Sequence, residues 1–483
     1  MKDKISLLAG MPWMQYIWLM LITLLAAGLR FYKLGAWSFW IDEIYTINHA
    51  RSHFSNLSLL LQNLPPNRNW VPTSVILTAQ AMNTWGVSEW SARLTSAVIG
   101  ILTIPTLYLP LSKIFGKQTA LIAMLLLAVS PWHIFWSQNA RFYTALMLIY
   151  SLTLFTFHFG FEQNRPHYFI AFYILFYLAM SERLIAVVVM PVIAVYLLLL
   201  WRLPFEKPPG ANLRNILLFA APIIAFLLYE IYLFAATGDF IFASDLELLA
   251  PPIDSPIRLL IVIAFSIGVP LLCLAFFSGA ELVQKKNRAG LFFFTAAILP
   301  PILLALLNPF VFVVERYAFV SLVFWIVLAA SGLQTLLTIT GQYRILIALG
   351  VIFALLADAT AENLLYYEIN HGNRLEWREA VGYVQERMED GDIVVSTRAP
   401  LAEYYLGGKV LEFRNLLPND LEKIDHPIWF VMDYPGIWHG RYASKVWMEE
   451  RAQLLQFSYL RVAEVNTLLI YRFDPVQVES PSK

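Results

Sequence analysis

The sequence predicts a polytopic α-helical membrane protein, with about 11 transmembrane helices and a small C-terminal α/β domain outside the membrane. Three observations predict this fold class. Of the 483 residues, 59% are hydrophobic and only 14% are charged, whereas soluble domains carry roughly a quarter charged residues. Apolar runs long enough to cross a hydrocarbon core of ~30 Å recur up to about residue 360. Beyond that point, charged residues become common and the apolar runs shorten to strand length.

The predicted spans follow the apolar runs along the chain. The first run begins after Lys2 and Lys4 and resembles a signal sequence, but the runs that follow it predict a retained helix. An odd number of spans puts the two termini on opposite sides of the membrane. The spans are predicted at residues 13–30, 92–111, 118–136, 143–161, 168–181, 184–201, 214–236, 257–279, 290–307, 317–337 and 344–360.

Basic residues are concentrated in the loops on one side of the predicted spans. By the positive-inside bias, these loops and the N-terminus are cytoplasmic. The predicted location is the cell membrane, with loop 31–91 and the C-terminal domain outside the cytoplasm. The basic residues of the cytoplasmic loops are Lys113, Lys117, Arg165, Arg202, Lys207, Arg214, Lys285, Lys286, Arg288 and Arg344.

Charge and cysteine content bear on partners and redox chemistry. The net charge is zero and no basic patch stands out, so nothing indicates a nucleic-acid partner. Cys273 is the single cysteine, which excludes a disulfide within the chain. Membrane lipids are the partners that the composition predicts.

Two domains are predicted from the change in composition. Residues 1–360 form a transmembrane module that includes the outer loop 31–91, and residues 361–483 form the α/β domain. Within the outer loop, Ile44–Leu61 is predicted to form a helix along the membrane surface. In the C-terminal domain, a helical period over 375–388 precedes predicted strands at 392–396, 409–413, 428–433 and 468–473.

A pair of adjacent carboxylates, Asp42 and Glu43, follows the first span. Trp37, Trp40 and Tyr45 flank the pair, and aromatic residues of this kind anchor at the level of the lipid headgroups. A carboxylate fixed at that depth can act as a base toward a hydroxyl beside a lipid substrate. The alternative is a solvated loop in which Asp42 caps the following helix.

Arginines occur at the outer edges of several spans. Arg141 lies two residues before Tyr143, and Arg316 precedes Tyr317; Arg183 lies in a short turn between two spans. Ionisable residues at such positions are costly and usually functional. A guanidinium binds phosphate through two parallel hydrogen bonds, which favours a lipid-linked phosphate as substrate. The alternative for each arginine is that its side chain snorkels to the headgroups.

The sequence carries no strong signal for a cofactor. No two histidines stand at a ligand spacing beside a carboxylate, so no zinc site is predicted. The sequence leaves open whether a divalent metal assists Asp42 or Glu43. The chain has no glycine-rich nucleotide loop, so a soluble nucleotide-sugar donor is not indicated.

The run from Arg30 to Glu43 resembles the first-loop motif of the GT-C glycosyltransferases that use polyprenyl-phosphate-linked sugars. The nearest resemblance is to the bacterial branch related to protein O-mannosyltransferases and to the lipid A aminoarabinose transferase. Many members carry a His-Pro-Pro in this loop, whereas Leu64 precedes Pro65 here, so the motif implies no acceptor. The resemblance continues through 86–97, 130–143, 315–317, 376–378 and 391–395.

The resemblance implies an inverting transfer of a sugar from a polyprenyl-phosphate donor to a hydroxyl of a lipid, glycan or protein on the outer face. It implies Asp42 as the catalytic base and Glu43 as its partner in the acidic motif. It also implies Arg141 and Arg316 as ligands of the donor phosphate. Further candidates for substrate binding are Lys33, Tyr143 and Tyr317.

A second interpretation is a transporter or flippase of a lipid-linked sugar. Such a protein would carry charges deep within several spans and broken helices in matching halves. Here the charges cluster at the outer edge, which favours the enzyme. The sequence leaves open whether a hexose or a pentose is transferred.

Overall fold

The computed structural model describes residues 13–51, 72–238, 255–338, 343–433, 442–459 and 467–475. They form two compact units. The helical unit comprises the described residues of 1–32, 53–84 and 93–361. The sheet unit comprises those of 33–52, 85–92 and 362–483, so it draws on the predicted outer loop as well as on the C-terminal segment.

Each predicted span coincides with a helix or with a bent pair of helices. Two short 3₁₀ helices, Leu184–Val188 and Glu315–Ser321, lie directly before the α-helices that begin at Val189 and Leu322. The helices up to residue 364 are α1 (Met14–Phe31), α2 (Ile41–Arg51), α3 (Thr73–Trp85), α4 (Glu89–Phe115), α5 (Lys117–Val129), α6 (Pro131–Ser137), α7 (Tyr143–Glu162), α8 (His167–Glu182), α9 (Val189–Arg202), α10 (Leu213–Thr237), α11 (Pro256–Ile267), α12 (Val269–Gln284), α13 (Arg288–Leu307), α14 (Leu322–Thr338) and α15 (Arg344–Leu364).

The number of spans depends on how the bent pairs are counted. Among the described residues, eight helices are long and apolar enough to cross a membrane, and the total reaches ten with each bent pair as one span. The fifth predicted span, 168–181, is not among these ten; it corresponds to α8, which has 16 residues. At ~1.5 Å per residue, α8 is shorter than a hydrocarbon core of ~30 Å.

Two spans that the sequence predicts as continuous are broken. Between α5 and α6 the chain bends by 60°, because Pro131 lacks an N–H and Ser130 caps the new helix by accepting from His133 N–H at 3.5 Å. Between α11 and α12 it bends by 96°. Gly268 sits at that bend with φ of 95°, a conformation that disfavours other residues.

The predicted outer loop contains more structure than its prolines suggest. Helix α3 occupies residues predicted only as loop. Helix α2 matches the first part of the predicted surface helix, and the remainder of Ile44–Leu61 lies outside the described residues.

Helices α7 and α14 form the centre of the helical unit. In each, 78% of the apolar window is buried, against 11% in α10 and α15. Aromatic rings fill this centre: Phe155 stacks on Phe293 with ring centroids 5.6 Å apart, and Phe157 stacks on Phe292 at 6.1 Å. The apolar surfaces left on α10 and α15 fit a lipid environment. The chain is a membrane protein with several spans.

The sheet unit contains one five-stranded sheet with short helices around it. Its elements are α16 (Trp377–Gln385), β1 (Ile393–Ser396), α17 (Ala399–Leu406), β2 (Leu411–Glu412), α18 (Pro418–Leu421), β3 (Ile428–Asp433), α19 (Lys445–Arg451), β4 (Gln453–Tyr459) and β5 (Thr467–Phe473). The strand order is β2-β1-β3-β5-β4. Strand β1 runs parallel to β2 and β3, while β5 runs antiparallel to β3 and β4.

The sheet confirms the predicted α/β character of the C-terminal segment. The four predicted strands overlap β1, β2, β3 and β5, and the predicted helix overlaps α16. Every residue of the central strand β3 is buried, which agrees with its continuous apolar run. Strand β4 was not predicted, because an edge strand owes its conformation to pairing with β5.

Gly100 allows close packing between α4 and α6. A Cβ at this position would lie 2.3 Å from Ser137 Oγ and 2.9 Å from Ser137 Cβ. The hydroxyl cannot move freely, since it donates to the His133 carbonyl at 2.6 Å. We expect Gly100→Ala to lower the free energy of unfolding by about 1–3 kcal/mol, which thermal unfolding in detergent would detect.

Gly28→Ala on α1 is the matched control, because no atom lies within 4 Å of a Cβ there. Its unfolding midpoint should be unchanged or slightly raised, since alanine favours helices. Equal midpoints for the two variants would contradict the close packing.

Candidate active site

The acidic motif opens helix α2. Asp42 and Glu43 both lie in the first turn, where the helix dipole stabilises negative charge. Successive side chains on a helix point ~100° apart, so the two carboxylates diverge. Glu43 is fully buried and Asp42 is half-buried. Because the helix begins at Ile41, Asp42 lies inside it and does not precede it as a cap.

Contacts of Glu43 hold the start of α2 in place. Its Oε2 accepts a hydrogen bond from the Trp40 N–H at 3.3 Å, so the side chain reaches back to cap α2. The same oxygen lies 3.5 Å from Nε of Arg374, and both side chains are buried. The Arg374 guanidinium lies over the Trp40 ring at 5.7 Å. Removing one member of such a buried pair leaves the other charge uncompensated.

Glu89 fixes the segment that precedes the acidic motif. Its Oε1 accepts from Arg378 Nε at 3.2 Å and from the Tyr405 hydroxyl at 2.9 Å. The Tyr405 oxygen accepts in turn from the Phe39 N–H at 2.7 Å, and Ser38 Oγ accepts from the Arg378 N–H at 3.0 Å. The sequence gives no link between these distant residues.

Lys33 lies in the same unit and has a carboxylate partner there. Its Nζ lies 2.8 Å from Glu368 Oε2 and donates to the Tyr367 carbonyl at 3.2 Å. The backbone of Lys33 is left-handed, with φ of 54°. Its charge is therefore balanced within the sheet unit, and binding of substrate by Lys33 stays a prediction.

In the helical unit, Arg141 lies on the short connection between α6 and α7. The Gln138 side chain donates to the carbonyls of Arg30 at 3.0 Å and Tyr32 at 2.7 Å, which closes the C-terminal end of α1. The Ser96 hydroxyl donates to the Arg141 carbonyl at 2.9 Å. The backbone of this connection is thus held on both sides, while the Arg141 side chain is half-buried.

Arg30 stabilises the break between α5 and α6, which precedes the Arg141 connection. Its guanidinium is fully buried and donates to the carbonyls of Ala26 at 3.1 Å, Ala128 at 2.9 Å and Leu127 at 3.2 Å. It also contacts Nδ1 of His133. The carbonyls of Leu127 and Ala128 need partners because α5 ends there. The sequence alone indicates no role for Arg30.

A second arginine lies beside Arg141. The guanidinium carbons of Arg141 and Arg183 lie 5.1 Å and 5.7 Å from the centre of the Phe142 ring. Arg183 is exposed, and no carboxylate in the described part of the chain forms a salt bridge with it. Two guanidinium groups on one ring create a positive region that suits a phosphate.

Arg316 and Tyr317 lie on the 3₁₀ helix before α14, and both are half-buried. Phe319 of this helix packs on Trp136 of α6 with ring centroids 6.4 Å apart. Tyr143 is buried and packs on the same tryptophan at 4.0 Å. The segment of Arg316 is therefore packed on the helix that leads into the Arg141 connection.

The predicted site residues fall into two sets. Lys33, Asp42 and Glu43 belong to the sheet unit, and the remaining four belong to the helical unit, namely Arg141, Tyr143, Arg316 and Tyr317. Over the described ranges, no group of three or more His, Cys, Asp or Glu side chains is arranged to hold a metal.

Comparison with known proteins gives a family match and a fold. Residues 71–236 match the family model described as dolichyl-phosphate-mannose-protein mannosyltransferase. That segment contains Arg141, Tyr143 and Arg183. No curated protein sequence matches the chain.

Solved structures resemble the whole chain. Apo ArnT from Cupriavidus metallidurans matches with a TM-score of 0.58 and 14% identity, over 94% of this chain and 97% of that chain. ArnT bound to undecaprenyl phosphate matches with a TM-score of 0.54 and 14% identity, over 96% and 99%. The oligosaccharyltransferase AglB from Archaeoglobus fulgidus, in complex with an inhibitory peptide and a dolichol-phosphate, gives a TM-score of 0.56 and 13% identity, over 97% and 75%.

At these identities the solved structures establish the fold, and the family match covers the segment that carries Arg141. Together they agree with the resemblance found in the sequence: residues 71–236 match the mannosyltransferase family model, and the chain as a whole has the GT-C fold of these solved structures.

Proposed function

We propose that the chain transfers a sugar from a polyprenyl-phosphate donor to an acceptor hydroxyl on the outer face of the membrane, with inversion at the anomeric carbon. The observation that carries most weight is the Arg141 connection. Its backbone is held by partly buried hydrogen bonds, and Arg141 and exposed Arg183 flank one ring. The undecaprenyl phosphate in ArnT and the dolichol-phosphate in AglB support the same class of donor.

Asp42 is the base in this proposal. It takes the proton of the acceptor hydroxyl while the acceptor oxygen forms a bond to the anomeric carbon. The bond from that carbon to the phosphate oxygen breaks, and its electron pair stays on the polyprenyl phosphate. That phosphate leaves as a stabilised anion, so no general acid is required.

Arg141, Arg183 and Arg316 stabilise the charge that develops on the departing phosphate. Preorganised donors of this kind are usually the largest contribution to catalysis. Partly buried hydrogen bonds hold the backbone around Arg141, so little of that backbone needs to be ordered when the donor binds. Tyr143, Tyr317 and Lys33 are proposed as secondary contacts to the substrate.

The surroundings of Glu43 support inversion. A retaining mechanism needs a second carboxyl group as nucleophile, roughly 5–5.5 Å from the first. Glu43 is buried, caps α2 and pairs with Arg374. A single half-buried carboxylate in the motif fits one in-line displacement, and hence inversion.

Asp42→Asn tests the base directly. The amide keeps the size of the side chain but cannot accept the proton, so transfer should fall by roughly 10²–10⁴-fold. Binding of the donor and the thermal unfolding midpoint should stay close to those of the wild type. Transfer of labelled sugar in proteoliposomes measures the first quantity, and equilibrium binding in detergent measures the second. Normal turnover by the Asp42→Asn variant would rule out Asp42 as the catalytic base.

Glu43→Ala is the matched comparison at the adjacent position. It removes the carboxylate that lies 3.5 Å from buried Arg374 and that accepts from the Trp40 N–H. We therefore expect a loss of about 3–5 kcal/mol of stability, and a fall in transfer that follows the loss of folded protein. A stable but inactive Glu43→Ala would indicate a chemical role for Glu43.

Arg141→Ala and Arg183→Ala test the phosphate ligands. The loss of one charged hydrogen bond to phosphate should raise the donor Kd by about 10- to 100-fold. Arg141→Lys should recover part of the affinity, since it keeps the charge but loses the bidentate fork. Arg165→Ala, beyond the other end of α7, is the control. An unchanged donor Kd in both variants would exclude the proposed role.

A further inference from the structure

A cavity of about 360 Å³ opens among helix ends of the helical unit. It adjoins the end of α7 at Glu162, whereas Arg141 precedes the start of that helix. The 20 residues of α7 separate the two positions by roughly 30 Å. The cavity is therefore distinct from the proposed donor site. Six of its polar lining residues are Lys113, His158, Glu162, Lys286, Asn287 and Arg288.

Positive charge dominates the lining. Arg288 binds the Glu162 carboxylate through Nε at 2.9 Å and Nη2 at 2.8 Å, so these two charges cancel. The Glu206 carboxylate lies 3.9 Å from Arg288 and is almost fully exposed. Lys113 and Lys286 are exposed, and neither forms a salt bridge with any carboxylate that the structure describes. Two lysine charges therefore remain uncompensated.

Backbone amides at the start of α13 add to the positive potential of the cavity. The Asn287 side chain accepts from the Gly290 N–H at 2.8 Å, and the Asn287 carbonyl accepts from the Leu291 N–H at 2.9 Å. The N–H groups of Arg288 and Ala289, at the first two positions, have no acceptor within the described ranges. Unpaired amides at the positive end of a helix dipole bind anions.

A buried histidine completes the lining. His158 is 5% exposed, and its ring stacks on Phe292 with centroids 5.0 Å apart. Its Nδ1 has no hydrogen-bond partner among the described residues. A polar atom buried without a partner is costly, so the wall of the cavity contains an unsatisfied nitrogen.

The backbone at Lys286 is also unusual. Its φ of 55° lies in the left-handed region, where glycine or asparagine is the ordinary choice. A lysine there carries a conformational cost of roughly 1 kcal/mol.

From these observations we propose that the cavity binds a phosphoryl anion, at the end of the helical unit opposite Arg141. Two lysines, two free amides and a histidine suit the oxygens of a phosphate. Basic pockets between helix ends bind the headgroups of anionic lipids, and a soluble phosphate offers the same chemistry. The loops concerned are those predicted to be cytoplasmic.

Lys113→Gln/Lys286→Gln in the full chain tests this site. The matched control, Lys117→Gln/Lys285→Gln, removes the same charge from exposed lysines that do not line the cavity. Native mass spectrometry measures binding of phosphatidylglycerol, with phosphatidylcholine as the neutral lipid. Calorimetry measures binding of inorganic phosphate. Thermal unfolding verifies that all the variants are folded.

We expect the cavity variant to bind one of the two anions at least about tenfold more weakly than the control does. A loss confined to phosphatidylglycerol identifies a lipid as the source, and a loss confined to inorganic phosphate identifies a soluble ligand. Equal affinities of the two variants for both probes would contradict the proposed anion site. None of these readouts depends on sugar transfer, so the result is independent of the proposed function.

Discussion

The guanidinium of Arg30 lies fully buried in the helical unit, and it determines how the neighbouring helices can end. A buried charge is tolerated only where hydrogen-bond partners surround it. Here the partners are the carbonyls of Leu127 and Ala128, which α5 leaves open where Pro131 forces the chain to turn. The arginine and the helix break thus satisfy each other's polar groups. Gln138, just after α6, then closes the end of α1.

This arrangement gives the Arg141 connection its fixed position. The connection begins where α6 ends, and α6 is oriented by the break that Arg30 supports. Ser96 on α4 holds the Arg141 carbonyl from the other side. A short loop between apolar helices would ordinarily move. Here partly buried hydrogen bonds hold the base of the connection.

The two carboxylates of the acidic motif lie in different environments. Glu43 lies on the buried side of α2, where it caps the helix and neutralises Arg374. Asp42 points about 100° away and keeps partial exposure. The contacts of Glu43 hold α2 in place, and α2 in turn determines the position of Asp42.

The sequence could predict those features that depend on local pattern. Apolar runs located the spans, and the change in composition near residue 360 located the α/β segment, because burial in lipid or in a sheet leaves a direct imprint on residue type. The pairing of Glu43 with Arg374, of Glu89 with Arg378 and of Arg30 with the end of α5 could not be predicted. These contacts join residues far apart in the chain, and no local pattern encodes them. Arg141 and Arg183 were both singled out, but only the structure joins them through Phe142.

In the proposed reaction, the sugar leaves its lipid phosphate and joins a hydroxyl. The most direct measurement follows both halves of a doubly labelled polyprenyl-phosphate sugar in sealed vesicles that contain the purified chain, without nucleotide. We expect one free polyprenyl phosphate for each sugar that becomes linked to the acceptor, with the anomeric configuration inverted. A sugar that crosses the bilayer while still attached to its lipid would contradict the claim and indicate a flippase.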